Sequence, residues 1–363
     1  MRSSSGATTR TSSRAPAHCA GDSAWSLRNA AGVRVLEAAP LSEIPWLLHA
    51  FSTRVGGASK IDGKSALNLG YTDWDSRAAV AENRAKFTTA SGARGWPLAT
   101  LRQFHSDLIR TASAPAPDDA PEALRGDALL TSASHILLAV QIADCVPILL
   151  ADTKHRAVAA IHAGWRGTLA RIAQKTLGRM RMAFGTRPRD VVAALGPAIG
   201  RCCYEVGPEV ATAFAGQFPA AAEWFDGPFE RLAWGEEPNP LPWLTMMPPG
   251  HVPPPPRVQL DLRAANRWQL LNAGVPASQI TVSELCTRCN AELFFSYRRE
   301  REKTGRLMAV IGILAKETPY ASALKARKKT PAKRATRSKP VARTPRKRPA
   351  RASSARTRTL SSP

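Results

Sequence analysis

The chain has 363 residues, with 51 Lys+Arg against 28 Asp+Glu and a formal charge of +23. At 44 % hydrophobic residues it has ample material for a core, which excludes wholesale disorder and a small disulfide scaffold. The charge is uneven: Lys325 to the C-terminus holds 15 Lys/Arg and no acid, leaving 36 basic and 28 acidic residues, or +8, on the other 324.

Residues 1–30 are rich in Ser, Arg, Ala and Thr, with no acid before Asp22. Transit peptides share that composition, but the expectation is a disordered extension. From about Val33 the pattern becomes globular, with strands expected at Val33 to Leu36 and His49 to Thr53. Gly56, Gly57, Gly63 and Gly70 then mark a loop or hairpin. Asp75 to Ser91 fits an amphipathic helix stopped at Gly92. Residues 111–123 read as an exposed loop. Four strands follow, at Ala128 to Thr131, Ile136 to Ile142, Val146 to Ala151 and Ala157 to His162. A Gly-rich turn leads into a helix reaching Phe184, whose apolar stripe is Leu169, Ile172, Ala173, Thr176, Leu177, Met180 and Phe184. A fifth strand covers Val191 to Leu195. Residues 226–257, rich in Pro, read as a surface insertion of polyproline character. Val258 to Leu262, a helix Arg263 to Ala273, and strands at Ile280 to Val282 and Arg306 to Leu314 complete the globular part. The basic tail after Glu317 is expected to be disordered.

No apolar run approaches the ~18 residues of a membrane-spanning helix. The N-terminus lacks an apolar signal core, so a cytoplasmic protein is expected. The six cysteines read as cytosolic thiols or metal ligands rather than a disulfide framework. Cys286 and Cys289 form one C-x-x-C, half of a zinc ribbon or a redox pair. The adjacent Cys202 and Cys203 are awkward tetrahedral partners for it, which favours reduced structural thiols.

Three candidate metal ligands stand at element ends, where α/β proteins build sites. They are His105 after a strand-like segment, Cys145 beside a buried run, and His162 at a strand end before a Gly-rich turn. Two imidazoles and a thiolate make a three-ligand zinc set with a fourth position for water. The gaps of 40 and 17 residues match no compact metal motif, so spacing alone leaves separate structural roles open. The turn Gly164-Trp165-Arg166-Gly167-Thr168 joins strand to helix and reads equally as an anion site or as a tight turn with a solvated Arg.

Read together, these segments resemble the YfiH-like family, also described as laccase-domain or multicopper polyphenol oxidase proteins and as purine nucleoside phosphorylases. The resemblance rests on Phe51-Ser52-Thr53-Arg54-Val55-Gly56-Gly57, Leu67-Asn68-Leu69-Gly70, Glu82-Asn83-Arg84 and Gln103-Phe104-His105-Ser106-Asp107. It continues through Gly126-Asp127-Ala128, Ala143-Asp144-Cys145-Val146-Pro147 and His162-Ala163-Gly164-Trp165-Arg166-Gly167. Downstream are Gly196-Pro197-Ala198-Ile199-Gly200, Cys202-Cys203-Tyr204-Glu205-Val206-Gly207, Asp261-Leu262 and Phe295-Ser296-Tyr297-Arg298-Arg299. These stretches run in the family's order from about residue 45 to 315. The resemblance implies an α+β (mixed α/β) fold, a single layered domain of mixed β-sheets flanked by helices over residues 31–318, with extensions 1–30 and 319–363. It implies a zinc site of His105, Cys145 and His162. The implied activity is phosphorolysis of adenosine, inosine, guanosine and methylthioadenosine, and deamination of adenosine. Arg54 and Arg166 are the expected phosphate ligands. Asp127 and Asp144 are the expected proton carriers. The family usually has a smaller aliphatic residue where Phe104 stands, so Phe104 is expected to narrow the pocket.

Three rivals stand beside this reading. A copper polyphenol oxidase of laccase type needs roughly ten His, and the chain has seven; Cu²⁺ in a His/Cys site is the residual form of that rival. A cysteine hydrolase or peptidoglycan-precursor editing enzyme would use Cys145 as nucleophile, which excludes its service as a zinc ligand. A nucleic-acid-binding role would rest on the tail, residues 325–363, through non-specific phosphate contacts. No aromatic residue follows Tyr320, so base stacking is not available to it.

Overall fold

A computed structural model describes residues 24–115, 123–229 and 257–315. The expected extension before residue 24, most of the Pro-rich insertion and the basic tail lie outside the described residues. In chain order the first strands are β1 (Trp25–Ala30), β2 (Val33–Ala38), β3 (Leu47–Ser52), β4 (Val55–Ile61), β5 (Lys64–Ala66), β6 (Leu98–Ala99), β7 (Ile109–Thr111), β8 (Ala128–Thr131) and β9 (Leu137–Ile142). The remainder are β10 (Val146–Asp152), β11 (Ala157–Ala163), β12 (Val191–Leu195), β13 (Glu205–Val206), β14 (Phe225–Asp226), β15 (Val258–Leu260), β16 (Ile280–Val282) and β17 (Leu307–Ile313).

Two six-stranded mixed sheets dominate. One runs β1-β2-β3-β17-β9-β6, the other β16-β12-β10-β11-β8-β7. Side-chain alternation along the buried strands explains why they stack. In β10, Leu149 and Ala151 join one apolar cluster while Val146, Ile148 and Leu150 join another. In β11, Val158 and Ala160 side with the first set, and Ala157, Ala159 and Ile161 with the second. Leu138 and Val140 of β9 and Ala309 and Ile311 of β17 face Leu149 and Val158 across the inter-sheet core. The outer face of the second sheet is covered by the helices Ile172–Phe184, Pro208–Gln217 and Leu262–Asn272. The helix Arg77–Ala90 covers the outer face of the first, where Phe87 packs with Leu137 and Val310. The result is helix, sheet, sheet, helix, the mixed α/β layering that the resemblance implied. Among the described residues, no helix is long and apolar enough to cross a membrane.

Local chemistry sets the helix starts. Ser76 caps Arg77–Ala90 by accepting the Ala79 N–H at 3.1 Å, and Asp261 accepts the N–H groups of Arg263 and Ala264, each at 3.0 Å. Two expectations need correction. Trp25–Ala30 lies within the stretch expected to be an extension, yet it is an edge strand paired antiparallel to β2. The Gly-rich turn expected before the helix reaching Phe184 is itself a short helix, Trp165–Leu169, and the longer one begins only at Ile172 because Arg171 adopts a left-handed φ of 61°.

One buried side chain of the first sheet ties folding to pH. His49 on β3 accepts the Ala38 N–H at 2.9 Å, and burial, partly opposed by Glu37, lowers its pKa to about 4. Because the folded value lies below the ordinary 6.5, the unfolded chain binds the extra proton, so stability is full above pH 6.5 and falls as pH drops towards 4. That shift corresponds to ~3 kcal/mol. Urea unfolding midpoints should therefore fall between pH 6.5 and 4, and His49→Gln should flatten that part of the profile. An unchanged slope in the variant would contradict the assignment.

Candidate metal centre and cavity

Strand pairing brings the three candidate ligands to one end of the second sheet. β10 and β11 are antiparallel, with Pro147 opposite His162, so Cys145 just before β10 meets the end of β11. β11 and β8 are antiparallel, with Ile161 opposite Ala128, which places Asp127 beside His162. β7 runs parallel to β8, so the loop that precedes it, carrying His105, leaves the same end. The ligand atoms of His105, Cys145 and His162 all lie within 4.8 Å of one another. The two imidazole rings sit edge to face, with centroids 5.0 Å apart.

Asp127 holds this arrangement from behind. Its carboxylate accepts the N–H groups of His105 at 3.1 Å and Ser106 at 2.6 Å, the Ser106 hydroxyl at 2.6 Å, and the His162 Nδ1 proton at 2.8 Å. The last bond fixes the tautomer and presents His162 Nε2 to the ligand cluster. Burial alone would raise the Asp127 pKa, but its bonds to His162 and Ser106 bring it down to about 2. Burial would likewise raise the Cys145 thiol, yet His162 and His105 pull it down to about 6. His162 moves the other way, to about 9, because the Cys145 and Asp127 charges outweigh its burial. Cys145 and His162 thus form a thiolate–imidazolium pair, from which a metal would displace the His162 proton as it took both donors. Two imidazoles, a thiolate and a hydrogen-bonded outer carboxylate fit a transition metal.

Gly164 completes the fit. A Cβ there would come within 2.9 Å of His105 Cδ2 and 3.0 Å of Cys145 Sγ. Gly164→Ala should therefore displace ligands while leaving the sheet intact. We expect metal content to fall several-fold at nearly unchanged thermal midpoint; full metal loading would show that the cradle tolerates a methyl group.

The cluster lies in a cavity of ≈ 980 Å³ lined by Tyr71, Arg77, Arg102, Gln103, Gln141, Asp144, Trp165, Arg166, Tyr204, Tyr297, Arg298, Arg301 and Arg306, among others. Six of these are arginines and four are aromatic, against one acid, Asp144. That acid has φ 93° and accepts the Thr287 hydroxyl and the Arg298 N–H, each at 2.6 Å. Arg166 lines the cavity with its guanidinium 4.3 Å from the Trp165 ring centroid.

Two expectations fail on geometry. Arg54 does not line the cavity. Its guanidinium lies over Phe295, donates to the Ala291 carbonyl at 3.1 Å and pairs with Glu300 at 2.6 Å, so it braces the Phe295–Glu300 segment. Phe104 is 41 % exposed, stacks under Arg125 and does not line the cavity, so it narrows nothing. Conversely, Tyr71, Arg77, Arg102, Arg301 and Arg306 were not singled out in the sequence, because nothing in their local spacing marks a shared wall.

Residues 48–314 match the family described as multi-copper polyphenol oxidoreductase laccase. The chain belongs to this family. The chain is similar to a purine nucleoside phosphorylase from Deinococcus radiodurans, 39 % identical over 283 residues, 77 % of this chain and 94 % of the relative. An adenosine deaminase, RL5, from an unknown prokaryotic organism is 35 % identical over 264 residues, 71 % of this chain and 91 % of the relative. The crystal structure of YlmD from Geobacillus stearothermophilus superposes with a TM-score of 0.65 at 33 % identity, covering 80 % of this chain and 99 % of that one. The matched family and the similar proteins thus carry names for an oxidoreductase, a phosphorylase and a deaminase, and the cavity of this chain has to be read on its own chemistry.

Proposed function

We propose that this protein is a zinc-dependent purine nucleoside phosphorylase that also deaminates adenosine. Adenosine, inosine, guanosine and methylthioadenosine are the proposed nucleosides. The observation that carries the reading is a His/Cys/His cluster inside a cavity rich in arginine and aromatic side chains. A zinc ion held by His105, Cys145 and His162 would supply Lewis acidity and an activated water.

The remaining work falls to the chain. The aromatic lining offers stacking surfaces to a purine. Arg166 and its arginine neighbours suit the dianion of phosphate. In phosphorolysis a phosphate oxygen forms a bond to C1′ of the ribose. The C1′–N9 bond breaks, and the base leaves with its electron pair and collects a proton. In deamination, water adds at the amino-bearing carbon and ammonia departs. Both need a proton carrier at the cavity surface. Asp144 lines the cavity and is the proposed carrier, whereas Asp127 is fully buried behind His162 and acts as a positioning residue. Cys145 serves as a metal ligand rather than as a nucleophile.

Incubating adenosine with and without phosphate tests the reading. Ribose 1-phosphate and adenine mark phosphorolysis, and inosine with ammonia marks deamination. Neither product would sink the proposal, and copper in protein purified without added copper would sink its zinc assignment. Arg166→Ala should raise the KM for phosphate at least ~10-fold, the loss of one charge-assisted contact. Arg54→Ala should leave that KM within twofold and lower stability instead. The reverse result would restore Arg54 as the phosphate ligand.

A further inference from the structure

A second set of metal-ligating side chains converges on the far side of Tyr204. β12 and β16 pair in parallel, with Leu195 opposite Val282, so the segments leaving their ends emerge together. Contact continues beyond the strands. Ser283 N–H donates to the Leu195 carbonyl at 2.9 Å, and Thr287 N–H donates to the Ala198 carbonyl at 3.0 Å. This brings Cys202 and Cys203 against Cys286 and Cys289.

The four sulfur atoms all lie within 4.8 Å of one another. Cys202 to Cys203 and Cys202 to Cys289 are 3.7 Å, and Cys203 to Cys289 is 3.4 Å. A tetrahedral zinc with Zn–S of ~2.3 Å places its sulfurs ~3.8 Å apart. The adjacent pair is not awkward in this fold. The turn at 201–203, closed by Cys203 and Tyr204 N–H bonds to the Gly200 carbonyl at 2.9 and 3.1 Å, presents both sulfurs to Cys289. Cys286 Sγ accepts the Gly200 N–H at 3.2 Å, and the N–H groups of Arg288 and Cys289 also point at it. Amide donors gathered on the first sulfur of a C-x-x-C turn stabilise a thiolate there. Arg288 faces Cys203 and offers charge compensation for a tetrathiolate.

We propose that Cys202, Cys203, Cys286 and Cys289 bind a structural Zn²⁺ ion, separate from the centre at His105, Cys145 and His162. Each thiol that coordinates gives up its proton to solvent. The ion would cross-link two loops distant in sequence. One continues into Tyr204, the other into Tyr297 and Arg298, and all three residues line the cavity. Arg298 already bridges these loops by donating to the Glu205 carbonyl at 2.8 Å. The zinc would hold that wall from outside.

The test is zinc stoichiometry on full-length protein purified under reducing conditions. Cys289→Ser and Cys286→Ser should each lower bound zinc by one equivalent per chain, whether or not His162→Ala is also present. They should lower the thermal midpoint as well. Should those variants fail to fold, His105→Ala/His162→Ala protein provides a second measurement. X-ray absorption at its zinc edge should show four sulfur neighbours at ~2.3 Å, and mercurial titration should release that zinc. Zinc content unaffected by the cysteine variants would overturn the proposal. So would iron as the bound metal, or resistance of the four cysteines to alkylation in denatured, chelated protein, which means disulfides.

Discussion

His162→Ala should strip the metal from the first centre and reduce nucleoside turnover by more than the ~100-fold typical of outer-shell changes. The variant removes one ligand and the imidazole that lowers the Cys145 thiol. It should still fold, because Asp127 retains the N–H groups of His105 and Ser106 and the Ser106 hydroxyl as donors. Metal analysis, circular dichroism and single-turnover kinetics on the same preparation separate loss of metal from loss of fold. A folded His162→Ala protein with full phosphorolysis would refute the assignment of this cluster as the reactive centre.

Asp127→Asn is the second large effect, and it differs in kind. The carboxylate is an acceptor for four donors at 2.6–3.1 Å, with the Phe104 N–H a longer fifth at 3.4 Å. An amide keeps one acceptor oxygen and turns the other position into a donor facing donors. Stranding buried N–H groups costs ~1–3 kcal/mol, and metal affinity should drop ~10–100-fold as His162 loses its orientation. Acid unfolding provides an independent reading. The Asp127 pKa, held at about 2, lies below the ordinary 3.8, so its contribution is present above pH 3.8 and lost as pH falls towards 2. The variant should lack that segment of the acid profile. A proton carrier would instead show normal metal content with a shifted pH–rate limb, and that outcome would return Asp127 to catalysis.

The elements read correctly from sequence are those whose apolar period is unbroken over a buried face. Ala128–Thr131 and Val191–Leu195 match to the residue because their strands are almost wholly buried. Trp25–Ala30 was hidden because four of its six side chains are exposed, so an edge strand looks like the polar stretch before it. The break at Arg171 needs a left-handed residue that is not glycine, which no local rule flags. Site residues divide in the same way. His105, Cys145 and His162, which spacing left open and the resemblance put forward, are brought together by the fold. Arg54 was misplaced because its partner, Glu300, is 246 residues away. The four-cysteine cluster was set aside because adjacent cysteines look like awkward partners, and only the β12–β16 pairing and the turn at 201–203 show how both sulfurs meet Cys289.

The centre's ligands share one property of placement. His105, Cys145 and His162, with Asp127 behind them, all sit at the end of the second sheet, while Gln141 of β9 and Arg306 before β17 reach the cavity from the first. The crossover from β9 to β10 is thus the seam between a ligand-bearing wall and a wall that carries no ligand. Substitutions at Gln141 or Arg306 should alter what the cavity admits while leaving the three ligand side chains and Asp127 in place.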